Sequence, residues 1–200
     1  MKTLDTRWDP WVEHRRSSMK ADPSPLRIRD VAFGGIHHVM RPLQAGDEDR
    51  LREFFASHTP ETIHERYGWP VPAMDFARAS QLVNVDQLKD CALGIFARMP
   101  AGEVLHAVGR YCLDPDGQSA EVAFVVRESR RHLGMATALL RALIQTARGR
   151  ALRSLWAQVS ARNTPMVAIF HEAGFDFAPL DSAGEIKATL PLAVLDEDRR

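Results

Sequence analysis

The chain has 200 residues, which is enough for one domain with a substantial core or for one domain plus an extension. Apolar residues make up 45% of the chain and charged residues 26%, as is usual for a globular protein in water. Lys plus Arg and Asp plus Glu each number 26, so the net charge is zero and the composition does not indicate binding to nucleic acid or membranes. No apolar run approaches the length of a membrane span, and the first residues lack the apolar core of a secretory signal.

The two cysteines, Cys91 and Cys112, both lie in apolar, strand-like stretches. A disulfide between them is one interpretation, and two free thiols in a reducing cytoplasm is the other. We expect free thiols and a cytoplasmic protein.

Residues 1–36 differ from the rest of the chain. They contain three prolines, the pair Gly34-Gly35, many charges and no sustained periodicity, with Trp8 and Trp11 as the large apolar side chains near the start. This composition predicts an N-terminal extension that is either partly disordered or packed on the domain as an arm. The compact domain is predicted over residues 37–192, and residues 193–200 form a charged tail.

The first half of this domain is predicted to be one strand followed by three helices. The strand is HHVMRPL, and the next segment, DEDRLREFFASH, has Asp47 as its candidate cap and three large apolar residues on one helical face. Thr59-Pro60-Glu61 begins a second helix, because Thr is a good N-cap and Pro suits the first helical position. A third short helix is predicted from Asp75 to about Val83.

The second half predicts three strands, a helix, a strand, a helix and two strands. CALGIFARM and EVLHAVGRYCL form a hairpin, and residues 114–117 are a turn that leads into AEVAFVV, which is apolar on both faces. An amphipathic helix follows from about Ala136 and ends near Gly149. SLWAQVS, a helix that begins at Thr164-Pro165, and two further strands complete an α/β fold with a mixed sheet.

The corner between AEVAFVV and the amphipathic helix has unusual chemistry. It contains Arg130, Arg131 and His132, followed by Gly134. A helix N-terminus presents unpaired amides, glycine allows close approach, and arginine can bind phosphate through two hydrogen bonds. The corner therefore fits a pyrophosphate site, although a solvated basic turn explains the same residues. It matches neither GxGxxG nor GxxxxGK[ST].

These residues resemble a known signature. Arg131-x-x-Gly134-x-Ala136, between a buried strand and an amphipathic helix, is similar to the Q/R-x-x-G-x-G/A acyl-CoA signature of the GNAT superfamily of N-acetyltransferases. The downstream stretch from Asn163 to Phe175 resembles the closing segment of that family. The opening MRPLQAGDEDRLREFFASHTPETIHERY resembles the GNAT domain of bacterial protein lysine acetyltransferases. The resemblance implies a mostly antiparallel sheet that is flanked by helices and splayed at the cofactor-binding strands.

The resemblance also implies acetyl-CoA, or another acyl-CoA, as co-substrate and a primary amine as acceptor. A protein lysine is the first candidate acceptor and a small-molecule amine is the alternative. Glu121 occupies the position of the family's general base, and a partly buried carboxylate could have the raised pKa that this role needs. A structural ion pair with Arg110 on the neighbouring strand is the other interpretation of Glu121. A non-catalytic acyl-CoA-binding regulatory module is an alternative from a different functional class.

Several residues are predicted to bind the cofactor. Backbone amides of the preceding strand are expected to face the pantetheine and the thioester oxygen, the corner is expected to hold the pyrophosphate, and Asn163 either contacts the cofactor or caps the next helix. The predicted set is Phe124, Val125, Val126, Arg131, His132, Leu133, Gly134, Met135, Ala136, Thr137, Asn163 and Phe170.

Two positions depart from the family pattern. Members often have glycine where this chain has His132, and many have a tyrosine, the general acid for the leaving thiolate, where this chain has Phe170. The histidines show no metal-ligand spacing, no metal is predicted, and His106 is expected to be a satisfied core residue. No basic patch with interleaved aromatics indicates nucleic-acid binding. The sequence leaves monomer and homodimer both open.

Overall fold

The central element of the molecule is an eight-stranded sheet. The computed structural model describes residues 28–67, 73–87 and 89–192. Its strands are β1 (Arg29–Phe33), β2 (Ile36–Pro42), β3 (Cys91–Met99), β4 (Gly102–Leu113), β5 (Ser119–Val126), β6 (Ser154–Ser160), β7 (Asp176–Phe177) and β8 (Glu185–Pro191). They lie in the order β1-β2-β3-β4-β5-β6-β8-β7, and every neighbouring pair is antiparallel except β5 and β6. The predicted mixed, mostly antiparallel α/β sheet is confirmed.

Helices cover both faces of the sheet. They are α1 (Glu48–Ala56), α2 (Pro60–Tyr67), α3 (Phe76–Val83), α4 (Met135–Gly149) and α5 (Thr164–Glu172), with a 3₁₀ turn at Glu128–Arg130. Leu139 and Leu143 of α4 share one core with Phe124 of β5, and Phe170 of α5 lies in the same core. Residues of α1, α2 and α3 form a second core on the opposite face of β3 and β4.

The N-terminal boundary lies earlier than the sequence pattern indicates. Arg29–Phe33 falls inside the predicted extension but pairs along its length with β2, from Arg29 opposite Met40 to Phe33 opposite Ile36. The boundary predicted at residues 36 and 37 therefore divides a β-hairpin. Gly34 and Gly35 form its two-residue turn with φ of 56° and 75°, a conformation that glycine adopts at little cost.

Asp47 is the N-cap residue of α1, as predicted, but its side chain makes no capping bond. Its two carboxylate oxygens accept hydrogen bonds from the Arg41 guanidinium at 2.7 and 2.8 Å, and no side-chain bond caps the helix. Arg41 also bonds Glu103 and lies 3.7 Å above the ring of Phe96. A buried charge gains more from an ion pair than from one capping bond, so the tertiary contact determines where Asp47 points.

Other local predictions hold with small shifts. Asp75 caps α3 through a bond from the Arg78 amide, and the Thr59 side chain accepts from the Thr62 amide at the start of α2. Gly149 is the last residue of α4, so the capping position falls on Arg150 rather than on the predicted glycine. Within the described residues, no helix is long and apolar enough to cross a membrane.

Both cysteines are free thiols, as expected. Burial raises the pKa of Cys91 to about 12, so this thiol stays protonated and unreactive at neutral pH. The predicted tail at residues 193–200 lies outside the described residues, as do Trp8 and Trp11.

Candidate active site

The two central strands separate at one end of the sheet. β5 and β6 pair over only three positions, from Ser119 opposite Ser154 to Glu121 opposite Trp156. Beyond Glu121 the remaining residues of β5 have no partner on the β6 side among the described residues. Glu121 therefore lies at the vertex of a gap that widens toward the corner after β5, and it is half-buried there.

Alternate amides of β5 face this gap. The amide of Arg127 donates to the His106 carbonyl of β4 at 2.8 Å, and backbone groups of successive strand residues point to opposite sides. The amides of Phe124 and Val126 therefore face the gap, whereas that of Val125 faces β4. Of the three amides predicted to meet the cofactor, two are placed where a ligand could reach them.

The corner after β5 has two residues in the left-handed region. The chain passes through the 3₁₀ turn, and then His132 has φ of 61° and Gly134 has φ of 87°. Glycine adopts such values freely, whereas a side chain there costs roughly 1–2 kcal/mol. A positive φ at His132 gives a physical reason for a glycine at this position, because glycine would adopt the same conformation without that cost.

The start of α4 presents unpaired amides. Ala138 is the first residue whose amide bonds back to the turn, donating to the Gly134 carbonyl at 3.0 Å, and no side chain caps the helix. The amides of Met135, Ala136 and Thr137 have no acceptor among the described residues. Together with the helix dipole they form a candidate anion site, and binding of the pyrophosphate there stays a prediction.

The side chain of Arg131 points away from this anion site. Its guanidinium donates to the Thr62 hydroxyl at 2.7 Å and lies 3.9 Å from the Glu128 carboxylate. Glu128 also accepts from the Thr59 amide at 2.9 Å and from the Thr62 hydroxyl at 2.7 Å. Partial burial opposes ionisation of Glu128, but these bonds hold its pKa below the usual value. The corner is thereby tied to α2, and contact of Arg131 with the pyrophosphate stays a prediction.

Glu121 and Arg110 lie on the same face of the sheet. Arg110 is opposite Ala123 and Cys112 is opposite Glu121, so the two charged residues are diagonal neighbours. Arg110 is buried, and its guanidinium donates to the Leu82 carbonyl at the end of α3. This geometry is compatible with both interpretations of Glu121, as a base and as a structural partner of Arg110.

Two predicted cofactor residues are engaged within the protein. Phe170 is 2% exposed, with its ring centroid 5.5 Å from that of Phe124 and 4.8 Å from that of Phe175, so it is a core residue in this structure. Asn163 caps α5 by accepting from the Met166 amide at 3.3 Å, which is one of its two predicted roles. Contact of either residue with the cofactor stays a prediction.

A functional candidate that the sequence does not reveal is His58, between α1 and α2. It borders a small cavity of about 30 Å³, room for about two water molecules. The cavity is lined by Leu51, Phe54, Phe55, His58, Thr62, Ile63, Met74, Leu82, Val108, Arg110, Ala123 and Val125. His58 also borders a larger cleft of about 770 Å³. The sequence HTPET marks only a helix start, so nothing local distinguishes this histidine.

A buried histidine pair lies beneath the corner. His38 Nε2 is 3.0 Å from His106 Nδ1, and His38 Nδ1 is 2.8 Å from the Ile36 carbonyl. Burial lowers the pKa of His106 to about 4, and the nearby charge of Arg130 adds to this effect. Both rings are therefore neutral at pH 7, and the expectation that His106 is a satisfied core histidine is confirmed.

The fold and the paired motifs define the class of protein. The sequence model of the Acetyltransferase (GNAT) family matches residues 47–175, which is more than half of the chain. The chain belongs to this family, and it is an acetyltransferase by family. The resemblance that rests on Arg131, Gly134 and the closing segment is thereby confirmed.

Individual relatives agree with this assignment. An acetyltransferase of Pseudomonas aeruginosa is 28% identical over 142 residues, covering 70% of this chain and 76% of its own. The crystal structure of the GNAT domain of S. lividans PAT is 25% identical with a TM-score of 0.73, covering 82% of this chain and 97% of that one. The yncA protein of Salmonella typhimurium, solved with its cofactor acetyl-CoA, shares the fold at 16% identity and a TM-score of 0.64, covering 81% and 98%.

Proposed function

We propose that this protein transfers the acetyl group of acetyl-CoA to a primary amine, with a protein lysine as the first candidate acceptor. The observation that carries the proposal is the unpaired amide set at the start of α4, placed after a left-handed Gly134 and at the open end of the gap between β5 and β6. Family membership supplies the acyl donor, and the similarity to the GNAT domain of S. lividans PAT supports a protein acceptor.

The gap and the corner have different roles in the proposed reaction. Acetyl-CoA supplies the acetyl group as an activated thioester. The corner from Arg131 to Thr137 holds the pyrophosphate through its amides, which accounts for the glycine and the missing side-chain cap. The amides of Phe124 and Val126 donate toward the thioester oxygen, where negative charge develops during attack.

Glu121 is proposed as the base that accepts a proton from the incoming amine. A lysine-type ammonium has a pKa near 10.4, so it is protonated at neutral pH and cannot attack until it loses that proton. Glu121 lies half-buried at the vertex of the gap, and it stands where the family resemblance places the general base. The leaving thiolate takes its proton from solvent or from the ammonium, because Phe170 has no hydroxyl to donate.

The two free thiols support a cytoplasmic site of action, where thiols are kept reduced. The proposal is tested by incubating the purified protein with acetyl-CoA and a panel of lysine-rich proteins, lysine peptides and small amines. Release of the coenzyme A thiol and a matching acetyl mass gain on a lysine are expected. The control is the same proteins with their lysines dimethylated. Gain on small amines alone would reassign the acceptor, and no release above the spontaneous rate across the panel would overturn the proposal.

A further inference from the structure

His58 has a hydrogen-bonding atom that the fold leaves unused. Its Nδ1 is 2.7 Å from the Phe54 carbonyl, which can only accept, so Nδ1 carries a hydrogen. Its Nε2 is buried and has no hydrogen-bond partner among the described residues. Burial lowers the pKa of His58, although the carbonyl of Phe54 and the carboxylate of Glu128 oppose this, so the ring is neutral at pH 7. Nε2 therefore holds an unshared lone pair.

A buried acceptor without a donor is unusual in a folded protein. Leaving such a group unsatisfied costs roughly 1–3 kcal/mol, and most buried polar atoms have a protein or water partner. The fold does not need Nε2 for packing, because the ring is already held by the Phe54 carbonyl and by an edge contact with the Phe54 ring at 4.5 Å. Water in the adjacent cavity can satisfy Nε2 in the free protein, and a donor that arrives from outside would replace it.

The position of His58 indicates from which side a hydrogen-bond donor could reach Nε2. The larger cleft is bordered by α1, the start of α2 and the segment before α3, whereas the small cavity reaches Ala123 and Val125 of β5. His58 borders both spaces, and the carbonyl of Val126, at the open end of the gap, is near enough to influence its pKa. His58 thus lies between the outer surface and the strand that carries Glu121.

Among the described residues, the other side chains that border both spaces are apolar. They are Phe55, Ile63 and Met74, which provide a wall suited to an unbranched alkyl chain. Within the part of the chain that the structure describes, the polar side chains at the inner end of this wall are His58, Thr62 and Arg110. The Thr62 hydroxyl already bonds Glu128 and Arg131. The Arg110 guanidinium bonds the Leu82 carbonyl, whereas Nε2 of His58 is an acceptor without a donor among these residues. A chain of methylene groups that ends in a hydrogen-bond donor matches both features; the primary amine of the proposed reaction supplies such a donor, whereas an ionised carboxylate does not.

We propose that the acceptor amine enters through this cleft and donates a hydrogen bond to Nε2 of His58, which orients its nitrogen toward the gap beside β5. His58 is then an acceptor-binding residue. The inference rests on the proposed acetyl transfer and adds the side chain that recognises the acceptor nitrogen.

The test compares two substitutions that place an amide at opposite ends of the ring. In His58→Gln the longer side chain brings its amide close to the position of Nε2, whereas in His58→Asn the amide lies near Nδ1 and keeps the bond to Phe54. The matched control is His64→Gln, an exposed histidine on α2. The probe is a bisubstrate analogue in which the sulfur of coenzyme A is joined through an acetyl bridge to the nitrogen of n-butylamine. Calorimetry measures its affinity relative to that of acetyl-CoA.

We expect the affinity ratio of analogue to acetyl-CoA to fall about three- to tenfold in His58→Asn, the worth of one hydrogen bond. The same affinity ratio should be retained in His58→Gln and unchanged in His64→Gln. The affinity for acetyl-CoA alone should be equal in all variants. An unchanged ratio in His58→Asn overturns the inference. Loss in His58→Gln but not in His58→Asn also overturns it, because that pattern identifies the Phe54 bond as the important one.

A second measurement needs only the parent protein, so it remains informative if a variant fails to fold. The nitrogen-15 resonance of His58 Nε2 should move upfield when the analogue replaces acetyl-CoA, because the lone pair then accepts a hydrogen bond. A resonance that is the same with both ligands contradicts the inference. Failure of the parent to bind acetyl-CoA would instead overturn the proposed function, and the role of His58 with it.

Discussion

Replacing Glu121 by glutamine tests whether this carboxylate acts as a base. The substitution preserves size and most hydrogen bonding but removes the group that accepts a proton. Glu121 and the corner at Arg131 are ten residues apart along the chain, and the strand between them spans roughly 17 Å, so acetyl-CoA affinity should change little. The rate of acetyl transfer should fall by about 10²- to 10⁴-fold, the usual contribution of general base catalysis, which is about 2.7–5.5 kcal/mol of barrier.

The pH dependence separates catalysis from structure. The rate of thiol release is measured for parent and variant between about pH 6 and 9, with the acceptor found in the panel. The loss in Glu121→Gln should shrink as the pH rises toward the pKa of the amine, because more of the acceptor is then already deprotonated. If Glu121 mainly pairs with Arg110, the loss should not depend on pH, stability should fall, and Arg110→Ala should show a matching defect. Parent-like turnover by Glu121→Gln at neutral pH would refute its role as base.

Three further outcomes are expected from local structure. Replacing His132 by glycine relieves a side chain at φ of 61° and should raise the free energy of unfolding in urea by up to about 1 kcal/mol; a loss of stability would contradict the strain. Phe170→Leu should cost about 1–2 kcal/mol of stability through lost ring contacts. It should leave the basic limb of the pH–rate profile in place, and disappearance of that limb would show that Phe170 influences the leaving group. Because His106 is neutral when folded and protonates near 6.5 when unfolded, stability should decrease as the pH falls from 6.5 toward about 4, and His106→Gln should flatten that slope; an unchanged slope would assign it to other groups.

Local sequence signals predicted most of the fold correctly. The helix starts at Thr59, Asp75 and Asn163 are set by short-range capping bonds, and the structure contains each of them. The corner after β5 was also predictable, since a strand pattern, a helical pattern and a single glycine between them leave few other conformations.

The errors arise where distant contacts decide the structure. Arg29–Phe33 is short and partly charged, and it becomes a strand because β2 offers it a partner. Its best signal is the Gly34-Gly35 pair, which is compatible with a loose arm and also with a two-residue hairpin turn. Asp47 occupies the predicted N-cap position, but a local capping rule does not include Arg41, six residues earlier and close in space, which binds the Asp47 carboxylate.

The candidate site also combines local features with contacts between distant residues. The signature from Arg131 to Ala136 is contiguous, so a sequence pattern can locate it. The bond from Arg131 to Thr62 joins residues 69 positions apart, and the exposure of His58 to two spaces depends on how three helices pack. Periodicity and spacing contain no information about either feature.

The central claim is that the turn at Gly134 holds the pyrophosphate of acetyl-CoA, and a calorimetric titration of Gly134→Val tests it most directly. A side chain at this glycine would meet no atom within 4 Å, so valine disturbs the site through the backbone, where φ of 87° is unfavourable for a β-branched residue. Gly149→Val is the control, because that glycine at the end of α4 also has open space around it but no positive φ. We predict that the parent and Gly149→Val bind acetyl-CoA, whereas Gly134→Val remains folded and shows no measurable binding. Equal affinity in Gly134→Val and the parent would contradict the assignment of the site.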